Sequence, residues 1–337
     1  MKVIKHVNKD INKFIKKIFK NLAKGKRRFF KICIEVYKSS KKFLKNKRKN
    51  YRPKELMKHS PIMSSIGNVY YLLKGKPPRY IPIGLEKKFT MNGRSKLLYK
   101  YKDDTVHIPL TYNSSIIDKT CKRIGEGELG EYGKVDQWLY QGLDQYPIKG
   151  CGVAIMGSAD QGFGPWYECI CIQYGAHPTT IDYNEIQFND SRIKFVKAPV
   201  DMNTLHTFDA AFSISSFEHD GLGRYGDPIN PNGDLEAMLK MKKVLKKGGL
   251  LYLSVPLGMD KVVFNDCRIY GRNRLPLLLR SWTMVHSVGF EETLLDRDTD
   301  KGWKPMTKIK QRNGDIRKEL IHPGYPEYGP ILILRND

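Results

Sequence analysis

A chain of 337 residues with 40% hydrophobic side chains can bury one large core or two ordinary ones, and its six cysteines are too few for a small disulfide-stapled fold. The formal net charge of +24 invites a nucleic-acid reading. However, residues 1–50 hold 19 of the 59 Lys and Arg against only Asp10 and Glu35, a net of +17, which leaves +7 for residues 51–337. The basic charge is thus local, and no base-stacking or zinc motif accompanies it, so nucleic acid is disfavoured as a partner.

From Ile4 through Val7, Ile11, Phe14, Ile18 and Leu22 the apolar positions step by three and four, which predicts a helix with one apolar stripe among lysines. A second such stretch runs from Phe29 to Leu44 after the break at Gly25. Residues 1–50 are therefore expected to form a basic amphipathic tail, suited to an anionic membrane surface or to packing on the body or a partner. Lys or Arg interrupts every apolar run before it reaches the roughly 18 residues of a membrane span, and no signal-peptide core forms. A cytoplasmic protein with reduced thiols, either free or peripheral at a membrane, is the expectation. Prolines 53, 61, 77, 78, 82 and 109 break the pattern over 51–134, which reads as a loop-rich lead-in packing on the body, with its tyrosines and Trp138 as candidate walls of a pocket.

Residues 135–337 form the expected body. From Cys151 short apolar runs alternate with helical patterns, as in a parallel sheet covered by helices. Strands are predicted at Val153–Met156, up to Asp182, at Ile193–Val196, Phe208–Ser213 and Leu250–Val255. A helix is predicted from Trp166 to about Tyr174. Another starts at Asp234, with Leu235, Met238, Leu239 and Leu245 on one face and Gly248-Gly249 as its stop. The end of the chain reads as a helix around Leu275–Val288, a strand at Phe290–Leu295 and a strand at Tyr328–Leu334.

Between the first strand and its helix stands Gly157-Ser158-Ala159-Asp160-Gln161-Gly162, a G-x-A-x-x-G form of the dinucleotide loop, and Asp182 follows Gly162 by 20 residues at the end of the second strand. Glycines let the backbone approach a ligand, and a carboxylate so placed accepts hydrogen bonds from ribose hydroxyls. This loop and acid predict a nucleoside-bearing ligand without separating nicotinamide from S-adenosylmethionine.

The later segments separate them. Phe208-Asp209, Glu218-His219 and Leu245-Lys246-Lys247-Gly248-Gly249 occur in the order of the "FD", "EH" and "LKxGG" elements of class I methyltransferases, which this chain resembles over about 151–296. Within that class, Gly221-Leu222-Gly223-Arg224-Tyr225-Gly226-Asp227-Pro228, Val255-Pro256-Leu257-Gly258 and Phe264-Asn265 resemble the family known as domain of unknown function 268. The resemblance implies an α/β fold with a class I methyltransferase-like Rossmann sheet, mostly parallel with an antiparallel last strand, carrying the basic helical extension. It implies S-adenosylmethionine as cofactor, with Gly157, Ala159 and Gly162 facing its methionine and ribose parts, Asp182 the ribose hydroxyls and Asp201 the adenine amine. An ordinary loop acid or helix cap is the competing reading of Asp201. The acidic residue usual before this loop is replaced by Ile155 and Met156, with Asp160 inside the loop instead.

The activity implied is methyl transfer to a small molecule or glycan, with a hydroxyl as the acceptor atom. An alcohol needs a base, and His219, flanked by Glu218 and Asp220, is the candidate, a structural histidine being the alternative. Asp227, with Arg224 and Tyr225, is a candidate acceptor contact or an ordered turn. Arg268, Tyr270 and Arg272 read as an anion site or as surface ion pairs. A non-catalytic binding or scaffold protein of the same fold is the alternative function.

Overall fold

The structure, a computed structural model, describes residues 76–82, 84–105, 109–158, 163–198, 208–299, 307–310, 316–319 and 329–337. The expected tail helices of 1–50 lie outside the described residues, as do Ala159, Gly162 and Asp201.

The elements in chain order are α1 (Glu86–Phe89), β1 (Lys96–Tyr99), β2 (Leu110–Asn113), α2 (Ser114–Gly125), α3 (Lys134–Gln145), β3 (Gly152–Met156), α4 (Trp166–Gln173), β4 (His177–Asp182), β5 (Ile186–Asn189) and β6 (Lys194–Lys197). After these come β7 (Phe208–Ile214), α5 (Gly233–Val244), β8 (Leu245–Ser254), β9 (Lys261–Phe264), β10 (Cys267–Ile269), α6 (Leu275–Leu278), β11 (Thr283–Val288), β12 (Thr307–Lys310), β13 (Ile316–Glu319) and β14 (Ile331–Arg335). Seven strands form the central sheet in the order β11-β14-β8-β7-β3-β4-β6. Pairing is parallel from β8 to β6, whereas β14 is antiparallel to both β8 and β11. The molecule is thus mixed α/β with a central sheet that is largely parallel.

The period of two along each strand makes this a three-layer body. Val153 and Ile155 of β3, Phe212 of β7, and Ile331 and Ile333 of β14 face one core, which α2, α3 and α4 cover with Ile117, Leu139 and Ile170 among others. Ala154, Ala211, Leu332 and Leu334 face the other, beneath Met238, Met241 and Val244 of α5 and Leu275 and Leu278 of α6. Three smaller sheets are formed besides it among the described residues, one of them the antiparallel pair β12 and β13. β1 runs parallel to β9, which pairs antiparallel with β10, and β2 runs parallel to β5. Among the described residues no helix is long and apolar enough to cross a membrane.

Several expected elements fall elsewhere. The loop-rich reading of 51–134 misses the 12-residue helix α2, whose N-cap Asn113 accepts the Ile116 N–H at 3.0 Å. Helix α5 ends at Val244 and passes directly into β8, so Leu245 belongs to a strand and Gly248-Gly249 lies inside it. Leu239, assigned to the buried face, is 55% exposed, while Ala237, Met241 and Val244 are buried. The helix expected over Leu275–Val288 stops after one turn at Leu278. Ser281 then takes a left-handed φ of 72°, and β11 follows. The strand expected at Phe290–Leu295 is a 3-10 turn over Glu292–Asp296.

Candidate functional site

The strand order reverses between β3 and β7, with β4 and β6 on one side and β8 on the other, and a ligand crevice is expected outside the carboxyl ends of the strands at such a point. A cavity of about 540 Å³ opens there, within the ordinary range of ~300–1,000 Å³ for small-molecule sites. Met156 at the end of β3, Gly157 after it, Asp182 at the end of β4, Ala198 after β6 and Ser215 after β7 all line it.

Gly157 has φ +75°, and its N–H donates to the Ile181 carbonyl at 3.0 Å. A Cβ at this position would lie 2.9 Å from Ser216 Oγ, so the glycine leaves a cradle that a side chain would fill. Asp182 is held by backbone on both oxygens. Ser158 N–H donates to Oδ2 at 2.8 Å and Asn184 N–H to Oδ1 at 2.7 Å. Beneath the loop Glu168 of α4 is fully buried and accepts from Thr180 Oγ1 at 2.6 Å, and burial raises its pKa. Glu168 thus stands under the loop, outside the lining of the cavity.

The segment between β7 and α5 builds the opposite wall. Ser215 sits at φ 54°, unusual for a residue with a side chain, and its Oγ donates to Glu218 Oε1 at 2.6 Å. Glu218 is fully buried and does not line the cavity, and burial pushes its pKa up to about 7. Glu218, the acid expected beside His219 in the catalytic set, therefore stands under the turn and outside the cavity that His219 lines. His219 does line the cavity. Its Nδ1 lies 2.6 Å from the Asp266 carbonyl, which only accepts, so the neutral ring carries its proton on Nδ1 and its lone pair on Nε2. Burial, with the Arg224 charge, lowers its pKa to about 4. The His219 imidazole is accordingly expected to titrate near pH 4 by NMR, with no change between pH 5 and 8. A midpoint near 6.5 would count against this environment.

Asp227, a candidate acceptor contact, is the knot of the turn. Oδ2 accepts from Gly221 N–H at 2.8 Å and Gly223 N–H at 3.0 Å, and Oδ1 from Tyr225 N–H at 3.3 Å. Gly221 is required by close approach, since a Cβ there would lie 2.1 Å from the Asn230 carbonyl oxygen. Arg224 joins this turn to the lead-in, with Nε 2.5 Å from Asp104 Oδ2 and a second nitrogen 3.1 Å from Asp266 Oδ1. Against the cost of burial, Lys102, Lys100 and Arg224 hold the Asp266 carboxyl well below the usual carboxylate range.

The expected anion site at Arg268, Tyr270 and Arg272 does not form. Arg268 is fully buried and donates to the carbonyls of Asp220 (2.6 Å), Asn230 (3.2 Å), Glu218 and Pro231 (both 3.4 Å), which ties down both ends of the turn. Tyr270 donates to Asp234 Oδ2 at 2.9 Å. Arg272 is exposed and pairs with Asp296 at 2.7 Å. Trp138 packs near Gly289 beside β11 and away from the cavity, whose aromatic lining includes Tyr132, Tyr167, Tyr183 and Tyr225.

Sequence reasoning passed over Asp220 as a site residue. It lines the cavity, and its carboxyl makes no hydrogen bond among the described residues. Burial, then the neighbouring Asp227 carboxylate, pushes its pKa up to about 8. Among the described residues no three His, Cys, Asp or Glu side chains gather as a metal site.

Residues 152–303, a little under half of the chain, match the family described as "Caenorhabditis protein of unknown function, DUF268", a span that contains the 221–228, 255–258 and 264–265 segments. No curated protein matches the chain. Similar solved structures include a 1,6-didemethyltoxoflavin-N1-methyltransferase from Burkholderia thailandensis, crystallised with 1,6-didemethyltoxoflavin and S-adenosylhomocysteine. It is 14% identical, and the match covers 71% of this chain and 100% of that one with a TM-score of 0.38. An S-adenosylmethionine-dependent methyltransferase from Clostridium acetobutylicum is 8% identical, covering 66% and 98% with a TM-score of 0.35.

Proposed function

We propose that the chain is a methyltransferase that binds S-adenosylmethionine in the crevice at the ends of β3, β4 and β7 and transfers the methyl group to a small molecule. The observation that carries this reading is the pairing of an open glycine cradle at Gly157 with a carboxylate, Asp182, fixed by two backbone N–H groups at the end of the adjacent strand. The strand order, with one antiparallel strand inserted beside β8, is that of the class I enzymes the sequence resembles. The "FD", "EH" and "LKxGG" segments fall at the start of β7, in the turn after it and at the start of β8.

The residues fit the cofactor. Gly157 would lie against its methionine part, and Asp182 would accept from its ribose hydroxyls, each carboxylate oxygen having room for more than one donor. When bound, the cofactor supplies an electrophilic methyl group, and the chain's task is to align an acceptor in line with it and exclude water. Tyr132, Tyr167 and Tyr225 supply walls for that purpose. A hydroxyl acceptor loses support because His219, with its pKa lowered to about 4, is a weak base at neutral pH.

Calorimetric titration with S-adenosylhomocysteine tests the reading. The native protein should bind, and Asp182→Ala should bind at least tenfold more weakly, since a charge-assisted hydrogen bond is worth about 1.5–3 kcal/mol. No binding by the native protein would favour the non-catalytic alternative. Unchanged affinity in a variant with an unaltered melting curve would remove Asp182 from the site.

A further inference from the structure

The wall of the cavity carries six carboxyl side chains, Asp104, Asp182, Glu185, Asp220, Asp227 and Glu236, against the two strong bases Arg224 and Lys240. Most of these acids are engaged. Asp104 pairs with Arg224, Glu185 pairs with Lys197 at 3.2 Å, and Asp182 and Asp227 accept from backbone N–H groups. Glu236 is exposed on α5, where solvent screens it. Asp220 alone among them lines the cavity partly buried and without a hydrogen-bond donor among the described residues. A half-buried carboxyl that faces a cavity and accepts from no protein donor among the described residues is best satisfied by a ligand that brings a cation with N–H donors.

We propose that the cavity takes an acceptor bearing a protonated amine, seated with its nitrogen against the carboxyl of Asp220. This inference rests on the methyltransferase reading and names the class of its substrate. The chemistry balances without a further reagent. The Asp220 carboxylate takes a proton from the ammonium, the freed nitrogen lone pair forms a bond to the methyl carbon, and the carbon–sulfur bond breaks with its electron pair going to sulfur. The product leaves as a methylated ammonium and the Asp220 proton passes to solvent.

The groups facing Asp220 set its response to pH. Asp227 within the turn and Asp234 on α5 disfavour its ionised form, Arg268 on β10 and Lys240 on α5 favour it, and Tyr183 after β4 stands near it. With a carboxyl that ionises near pH 8, binding an ammonium at lower pH must displace a proton. Affinity should therefore rise about tenfold per pH unit up to about pH 8 and then level off.

The test uses the full chain, with and without saturating S-adenosylhomocysteine, and three matched probe pairs: ethanolamine and ethylene glycol, benzylamine and benzyl alcohol, phenethylamine and 2-phenylethanol. At pH 8.5 at least one amine should bind tenfold or more tightly than its alcohol. That preference should fall toward unity in Asp220→Asn, with S-adenosylhomocysteine affinity retained. The pH profile of the native protein tests the same point without any variant. No amine preference in any pair, a preference that survives Asp220→Asn, or an amine affinity flat from pH 6 to 8.5 would each overturn the proposal. Loss of S-adenosylhomocysteine affinity in Asp220→Asn would assign the carboxyl to the cofactor and overturn it too. Failure of the native protein to bind S-adenosylhomocysteine, with the amine preference intact, would sink the cofactor reading and leave the amine seat standing.

Discussion

Asp234→Ala is expected to lower the unfolding free energy by about 3–5 kcal/mol, enough to unfold a marginally stable domain. Asp234 opens α5 with no exposed surface. Its Oδ2 accepts from Arg274 Nε at 2.8 Å and from Tyr270 at 2.9 Å, its Oδ1 accepts from a second Arg274 nitrogen at 2.5 Å, and Arg268 Nε stands 3.7 Å away. Removing the carboxylate takes from two buried guanidinium groups the acid that both of them face. Asp234→Asn keeps the shape and should recover only part of the loss. The two arginines, against the cost of burial, hold the carboxyl below its ordinary range. Its contribution is accordingly complete above the unfolded pKa of about 4 and is lost as pH falls through the folded value. Urea denaturation of the three proteins between pH 3 and 7 measures this. A native-like midpoint for Asp234→Ala would show that the cluster is not what fixes the turn.

Gly157→Val should abolish S-adenosylhomocysteine binding while leaving most of the sheet intact. A β-branched residue at φ +75° is strained by about 1–2 kcal/mol or more, and its Cβ would begin 2.9 Å from Ser216 Oγ. Its two methyl groups would crowd the cradle between the ends of β3 and β7, and a loss of at least a hundredfold in affinity is expected. Gly157→Ala, with the same backbone strain and less bulk, should lie between the two. Calorimetry with parallel melting curves decides the matter. Retained affinity in a folded Val variant would show that the loop serves packing alone.

The sheet was legible where its strands are buried on both faces, because runs such as Val153–Met156 and Ala210–Phe212 carry apolar residues without interruption and are followed by glycine or serine. It was misread at β11, where Thr283–Val288 is only half covered and contains Met284 and His286, so no period stood out. The leucines at 275, 277 and 278 then suggested a long helix, and only the left-handed Ser281 separates that turn from the strand. Gly157 and Asp182 could be placed because backbone approach and strand-end acids follow the chain locally. The role of Arg268 could not, because it depends on four carbonyls brought together from residues 218–231. Asp220 was passed over for its histidine neighbour for a similar reason. Its importance lies in the donors it lacks, and that is a property of three dimensions.

The insertion of β14 between β8 and β11 bears on how the chain is made. β11 pairs with β14 and with no other described strand, and 42 residues lie between Val288 and Ile331. During synthesis β8 and β11 therefore emerge with open edges, presenting unpaired N–H and C=O groups until the later strand arrives to join them. A ribosome stalled within that interval would hold a nascent chain with two templates for intermolecular pairing, which makes the interval a natural point of chaperone dependence and of aggregation during refolding.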